Sequence, residues 1–515
     1  MSGLRTAVVG LDGAHFELLE PWIEAGKLPN IERIIETGVS SDLKSVMPPV
    51  TSPNWKAYAT GKNPGKIGIF WWENIDTDAR RVYYPTHRKS QNTEYWELLA
   101  EDDPVGVLGV PTTYPPKTLQ NGFLVAGAPD GENTDFATPP SVEQELREQF
   151  DYRVLLSCRL KDYRERAAEE IIDLIDLRFR AAKQLAKEHD VHFLQVSTFY
   201  INSLHHYLWD DEYTLRAWQT IDEHVGDITE IADNVVLMSD HGSNPIHTVF
   251  HINTWLEEQG YLSLATGSGN ALYRLGINTD RLVRLATRLR IREPAERLAP
   301  QWLLNRIPNE HGEFKREQKT EMIDWENTDV IASGQGPIYL TLDRDDEDYE
   351  SIRRAIIERI ESLTSPAGNP VADAVYCGEE VYEGEYTEEA PDLVIDQAHG
   401  VHIPGNIGSD DVFTDPKSGW RAENKREGLF AASGPAFGRG SPEPLSILDL
   451  APTLLHLYGH AVPDDMDGTV RADVFAEDSD AATRSVEYTQ RDSKDTEIDR
   501  IRSVARRIAT ESANL

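Results

Sequence analysis

Short apolar runs recur along this chain, and longer amphipathic stretches separate them. The runs are residues 6–11 (TAVVGL), 105–110 (VGVLGV), 123–126, 191–197 (VHFLQVS), 234–239 (NVVLMS), 391–395 (PDLVI) and 429–432. A strand apolar on both sides must be covered on both sides, which happens in mostly parallel sheets. Between the runs, helix-period segments are read at 16–35, 143–150, 162–187, 212–231, 252–259, 349–363 and 447–457. The alternation predicts a three-layer α/β/α fold around a mostly parallel central sheet.

Two regions interrupt this pattern. Residues 1–264 and 326–475 are expected to form the core, with 75–190 partly capping the sheet. Residues 265–325 carry the arginine-rich stretch YRLGINTDRLVRLATRLRIREPAERL and are read as an inserted helical lid. Residues 476–515 are read as an acidic, flexible tail.

Charge narrows the partners. The 88 acidic and 51 basic side chains leave a net charge of −37, which opposes a nucleic-acid duplex or an anionic lipid surface. Such self-repulsion is tolerated best in concentrated salt, where the Debye length falls to about 3 Å at 1 M. Arginine is more than twice as common as lysine, which also fits a salt-loving cytoplasm. The two cysteines, Cys158 and Cys377, suit a reducing compartment, and the N-terminal MSGLRTAVVGLDG enters a strand pattern with no signal-peptide core. No apolar run reaches the roughly 18 residues of a membrane span.

Ligands of open parallel sheets bind beyond the carboxyl ends of the strands. After residues 6–11 comes Asp12 in DGA, placed either to ligate a metal or to cap the next helix. After 234–239 come Asp240, His241 and Gly242, oxygen and nitrogen donors on one tight turn and a metal pattern hard to explain as packing. The loop MPPVTSPNW places Thr51 and Ser52 between prolines, ahead of a helix expected to start near Pro53. There a hydroxyl beside a metal can act as a nucleophile, and helix amides can meet a phosphate.

In order, VVGLDGA, PPVTSPNWKAYATGKNPGKIGIF, VVLMSDHG with HINTWLEEQGYL, EEAPDLVI and SILDLAPTLLHLYGHAVPDDMDG resemble the alkaline phosphatase superfamily, in its branch of type I phosphodiesterases and nucleotide pyrophosphatases. The resemblance covers about half of the chain. It implies a metal-dependent phosphohydrolase in which a threonine attacks phosphorus and becomes a phosphothreonine that water later resolves. Thr51 matches that nucleophile, since the family places the hydroxyl two residues before the proline, and Asp12, Asp240 and His241 match the ligands of the metal against which Thr51 lies. For a second metal the family uses an aspartate, a histidine four residues later and a further histidine. Those positions fall on Asn202 and His206 in FYINSLHHYLW and on Asn424 in ENKREGLF.

Two amides thus stand where the family has charged or nitrogen donors. The resemblance implies a divalent ion (Zn²⁺, Mn²⁺ or Mg²⁺) in the first site, and leaves the second to a harder ion, to no ion, or to side chains such as His206 that meet the leaving group. Lys62, Lys66, Arg421 and Lys425 flank the motifs and are expected to bind a small phosphorylated substrate. A sulfatase-like or phosphotransferase enzyme on the same fold, and a non-catalytic phosphoester-binding protein, are the alternatives that the amide pair brings in.

Overall fold

The computed structural model describes residues 3–85, 88, 91–265, 320–416 and 419–490. At its centre lies a nine-stranded sheet. From one edge to the other its strands are Leu445–Ser446, Val39–Lys44, Glu427–Ser433, Asn234–Met238, Thr6–Leu11, Phe193–Thr198, Val105–Leu108, Gly122–Val125 and Ala137–Thr138. The four central neighbours of Thr6–Leu11 on its two sides divide by direction: Asn234–Met238, Phe193–Thr198 and Val105–Leu108 run parallel to it, and Glu427–Ser433 runs antiparallel.

Both faces are covered, as the apolar runs demand. Val9, Val196 and Leu237 face helices that include Pro29–Thr37, Arg164–Glu188 and Glu212–Ile231. Val8, Phe193 and Val236 face the layer of Thr51–Thr60, Tyr95–Leu99 and Leu450–Tyr458. Alternate residues of one strand therefore supply two separate cores.

Several expectations are corrected. Residues 391–395 do not join the central sheet. The strand Leu393–Gln397 belongs to a four-stranded antiparallel sheet with Val330–Ala332, Pro337–Leu340 and Ala372–Cys377, which has its own core and the helix Tyr349–Glu361. A five-residue apolar run reads alike in either sheet, because strand direction leaves no mark on it. Within 75–190 the runs at 105–110 and 123–126 stand in the central sheet, as expected, as Val105–Leu108 and Gly122–Val125, with Ala137–Thr138 added at the edge; the hairpin Asn74–Asp76 and Arg81–Tyr83 packs its Ile75 and Val82 into the core of the four-stranded sheet. The helix read over 16–35 is two, Phe16–Glu24 and Pro29–Thr37, with Pro29 opening the second.

The lid read over 265–325 lies outside the described residues except at its two ends. Of the tail, Asp480–Thr483 makes a helical turn and Tyr488–Thr489 pairs with Val462–Pro463, while the part beyond residue 490 lies outside the described residues. Among the described residues no helix is long and apolar enough to cross a membrane.

Candidate active site

Register brings the site together. Leu11 pairs with Thr198 and Gly10 with Met238, so three parallel strands end level. Asp12, the helix Tyr200–Leu208 and the pair Asp240 and His241 follow them at one sheet edge. Val39–Lys44 is antiparallel to Glu427–Ser433, itself antiparallel to Asn234–Met238, so it too ends at that edge. Its continuation is clamped by Asn54, whose Oδ1 accepts from the Val46 amide at 2.8 Å and whose Nδ2 donates to the Pro48 and Val50 carbonyls at 3.0 Å. The helix Thr51–Thr60 starts at Thr51 itself, two residues before the expected Pro53.

The first half of the site is fully buried. Nδ1–H of His241 donates to the Gly242 carbonyl at 2.8 Å, which leaves Nε2 as an acceptor. That Nε2 lies 3.2 Å from Thr51 Oγ1, 3.2 Å from Asp240 Oδ2 and 3.6 Å from Asp12 Oδ1. The other carboxylate oxygens are held: Trp55 Nε1–H donates to Asp12 Oδ2 at 2.9 Å, and the Gly13 amide to Asp240 Oδ1 at 3.2 Å. Asp12 Oδ1 and Asp240 Oδ2 have no hydrogen-bond partner. Converging carboxylate oxygens without a hydrogen-bond partner, beside an imidazole nitrogen, fit a cation, and these three residues form a group whose donor atoms lie within 4.8 Å of one another.

Electrostatics reflect this crowding. Burial raises the Asp240 carboxyl to about 8, and burial together with Asp240 raises that of Asp12 well above the usual carboxylate range. Burial lowers the His241 imidazole, with Asp12 opposing the shift. Asp12 does not cap the next helix, whose N-cap is His15. Ser52 is buried with its hydroxyl unpartnered, whereas Thr51 lines the cavity described below.

The second half is built differently. Strand Ala422–Lys425 pairs with Gly242–Pro245, setting Asn424 opposite Ser243. Ser243 Oγ–H donates to the Gly13 carbonyl at 2.8 Å and its oxygen lies 3.3 Å from Asn202 Oδ1, while Asn202 Nδ2 donates to Asn424 Oδ1 at 3.5 Å. Gly13 is what lets Asn202 come so close: at its φ of +74° a Cβ would stand 2.5 Å from Asn202 Oδ1. His206 donates Nδ1–H to the Ala422 carbonyl at 2.7 Å and stacks on Trp420 with 4.1 Å between ring centroids. Burial lowers its imidazole to about 4, so Nε2 remains an acceptor at neutral pH.

Four cations were expected at the substrate, and the structure sorts them. Lys62 pairs with Asp465, and Lys66 with Asp467 at 2.5 Å; Lys425 pairs with Glu17 at 2.9 Å. None of the three lines the cavity. Arg421 is exposed at the neighbouring strand end, its amide bonded to the His206 carbonyl at 2.5 Å.

A cavity of about 500 Å³ opens over Thr51, Asn202, His206 and Asn424. Trp71, Trp72, Phe199, Tyr207 and Trp420 supply aromatic walls. The reading of strand ends missed this wall and Gln335; His402 lines the cavity as well. His402 pairs with the buried Glu423, which also accepts from Gln335 Nε2 at 2.7 Å. Burial alone would raise the Glu423 carboxyl, but His402, His206 and the Asn424 amide outweigh it and hold it at about 2. The adjacent pair Trp71 and Trp72 was the signal available in the sequence.

Residues 6–425 match the family described as type I phosphodiesterase / nucleotide pyrophosphatase. Among solved structures, phosphonoacetate hydrolase from Sinorhizobium meliloti 1021 in complex with phosphonoformate is 15% identical, with a TM-score of 0.56, over 87% of this chain and 94% of that one. Murine ectonucleotide pyrophosphatase / phosphodiesterase 5 is 14% identical, with a TM-score of 0.47, over 92% of this chain and 100% of that one. None of the curated proteins compared with the chain matches it. The fold and family define a phosphoric ester hydrolase of the alkaline phosphatase superfamily. The chain belongs to the type I phosphodiesterase / nucleotide pyrophosphatase family.

Proposed function

We propose that the chain cleaves a small phosphodiester through Thr51, with a divalent cation held by Asp12, Asp240 and His241. The observation that carries this reading is the placement of Thr51 Oγ1, 3.2 Å from His241 Nε2 at the floor of the cavity, beside two orphaned carboxylate oxygens. Zn²⁺, Mn²⁺ or Mg²⁺ fits that donor set and, when bound, supplies a Lewis acid that favours ionised hydroxyls and offsets phosphoryl charge.

The chain's own groups do the rest. Thr51 opens a ten-residue helix, so first-turn amides and the positive end of the helix dipole lie beside its hydroxyl and favour a phosphoryl oxygen there. Thr51 Oγ1 forms the new bond to phosphorus as the bond to the leaving oxygen breaks, and the proton that the Thr51 hydroxyl gives up ends on that leaving oxygen. Water then cleaves the phosphothreonine and returns Thr51. His206, neutral and fixed through Nδ1, offers Nε2 to the proton of that water. The aromatic wall suits an organic group on the ester. A charge of −37 and only two cysteines fit a salt-rich, reducing cytoplasm.

The test is hydrolysis of bis(p-nitrophenyl) phosphate in molar KCl by chelator-treated protein, before and after adding Mn²⁺. Turnover should return with the ion in the wild type and fall on the order of 10³-fold or more in Thr51→Ala. Undiminished turnover in that variant sinks the proposal.

A further inference from the structure

The two halves of the site differ in what they leave unsatisfied. In the first, two buried carboxylate oxygens without a hydrogen-bond partner converge with an imidazole nitrogen whose one hydroxyl partner is Thr51. In the second, no buried polar atom of Asn202 or Asn424 lacks a partner. Asn202 Oδ1 lies 3.3 Å from Ser243 Oγ, whose proton goes to the Gly13 carbonyl at 2.8 Å, and the Asn202 Nδ2 donor faces Asn424 Oδ1. An ion there would meet an N–H₂ group and uncharged oxygens only.

Charge gives the same answer. Asp12 and Asp240 balance one divalent ion. A second would sit beside two neutral amides and an imidazole, where a charge without counter-charge is costly. The carboxylate next in sequence, Glu423, is committed to His402, Gln335 and the Asn424 amide. Among the described residues, the only group of three convergent His, Cys, Asp or Glu donors is Asp12, Asp240 and His241. The residues present do not fit a second resident metal.

We infer that this chain holds a single divalent ion, and that the position of the family's second ion is filled by an uncharged Asn202, Asn424 and Ser243 hydrogen-bond cluster. The inference rests on the proposed metal-dependent reading of the first half. The cluster offers amide donors to a substrate oxygen but brings no positive charge. It therefore favours a phosphodiester, with one negative charge, over a phosphomonoester dianion.

The test is metal content of the full chain after chelation and dialysis against Mn²⁺, by mass spectrometry, with the Mn²⁺ paramagnetic resonance spectrum of the same samples. The expected result is one ion per chain with the spectrum of an isolated Mn²⁺, and loss of that ion in Asp240→Asn. The double variant Asn202→Asp with Asn424→His should gain a second ion and a spin-coupled spectrum. Two ions in the wild type, the second lost in His206→Ala, overturn the inference but leave the proposed function standing. No ion at all overturns the proposed function, and the inference with it. The wild-type count decides even where the double variant fails to fold.

Discussion

Replacing Asp240 with Asn should change stability in opposite directions with and without metal. In the metal-free protein, burial holds the Asp240 carboxyl at about 8, against about 3.9 in an unfolded chain. The folded state therefore binds this proton more tightly than the unfolded state does, and folding loses stability as pH rises from about 4 to about 8. At pH 7 the shift amounts to roughly 3 pK units, or on the order of 4 kcal/mol. An asparagine keeps the oxygen that accepts from Gly13 and has no charge to bury. Metal-free Asp240→Asn should thus be more stable than metal-free wild type in urea unfolding, by up to about 4 kcal/mol at pH 7, and the gap should widen from pH 4 to pH 8. Saturating Mn²⁺ should stabilise the wild type by RT ln(1 + [Mn²⁺]/Kd) and leave the variant unchanged. A metal-free variant less stable than wild type at pH 7, or a gap that does not move with pH, refutes the argument.

Other outcomes follow from single contacts. Trp55→Phe removes the 2.9 Å bond to Asp12 Oδ2, and should weaken Mn²⁺ binding by about 10- to 100-fold in calorimetry, as loss of a group orienting a ligand does. Trp71→Ala opens the aromatic wall of the cavity and should raise KM for an aromatic diester by about 2- to 10-fold while leaving kcat near its wild-type value. Raising KCl from 0.1 M to 1 M shortens the Debye length from about 10 Å to about 3 Å. With a net charge of −37, Tm should rise across that range, and a flat Tm would reject the salt-adapted reading.

The central layer of the fold was legible because burial on both faces forces a strand to be apolar throughout. Thr6–Leu11 shows this, matching its expected bounds residue for residue. The strand Val39–Lys44 was not seen, since VSSDLK buries one side only and reads like a loop. The first half of the site was legible for a related reason. Asp12, Asp240 and His241 each stand directly after an apolar strand, so local sequence alone puts them at a strand end.

What remained for the tertiary structure is whatever depends on who meets whom across long separations. Lys62 and Lys66 follow the helix Thr51–Thr60 in sequence, yet their charges are taken by Asp465 and Asp467, some 400 residues on. Asn202 and Asn424 are 222 residues apart, and either alone reads as a weak metal ligand. Only the pairing of Ala422–Lys425 with Gly242–Pro245 brings Asn424 beside Asn202, so that two poor ligands face each other. A residue's chemistry is written in the sequence, but whether its lone pairs are spent or free is set by its neighbours in space.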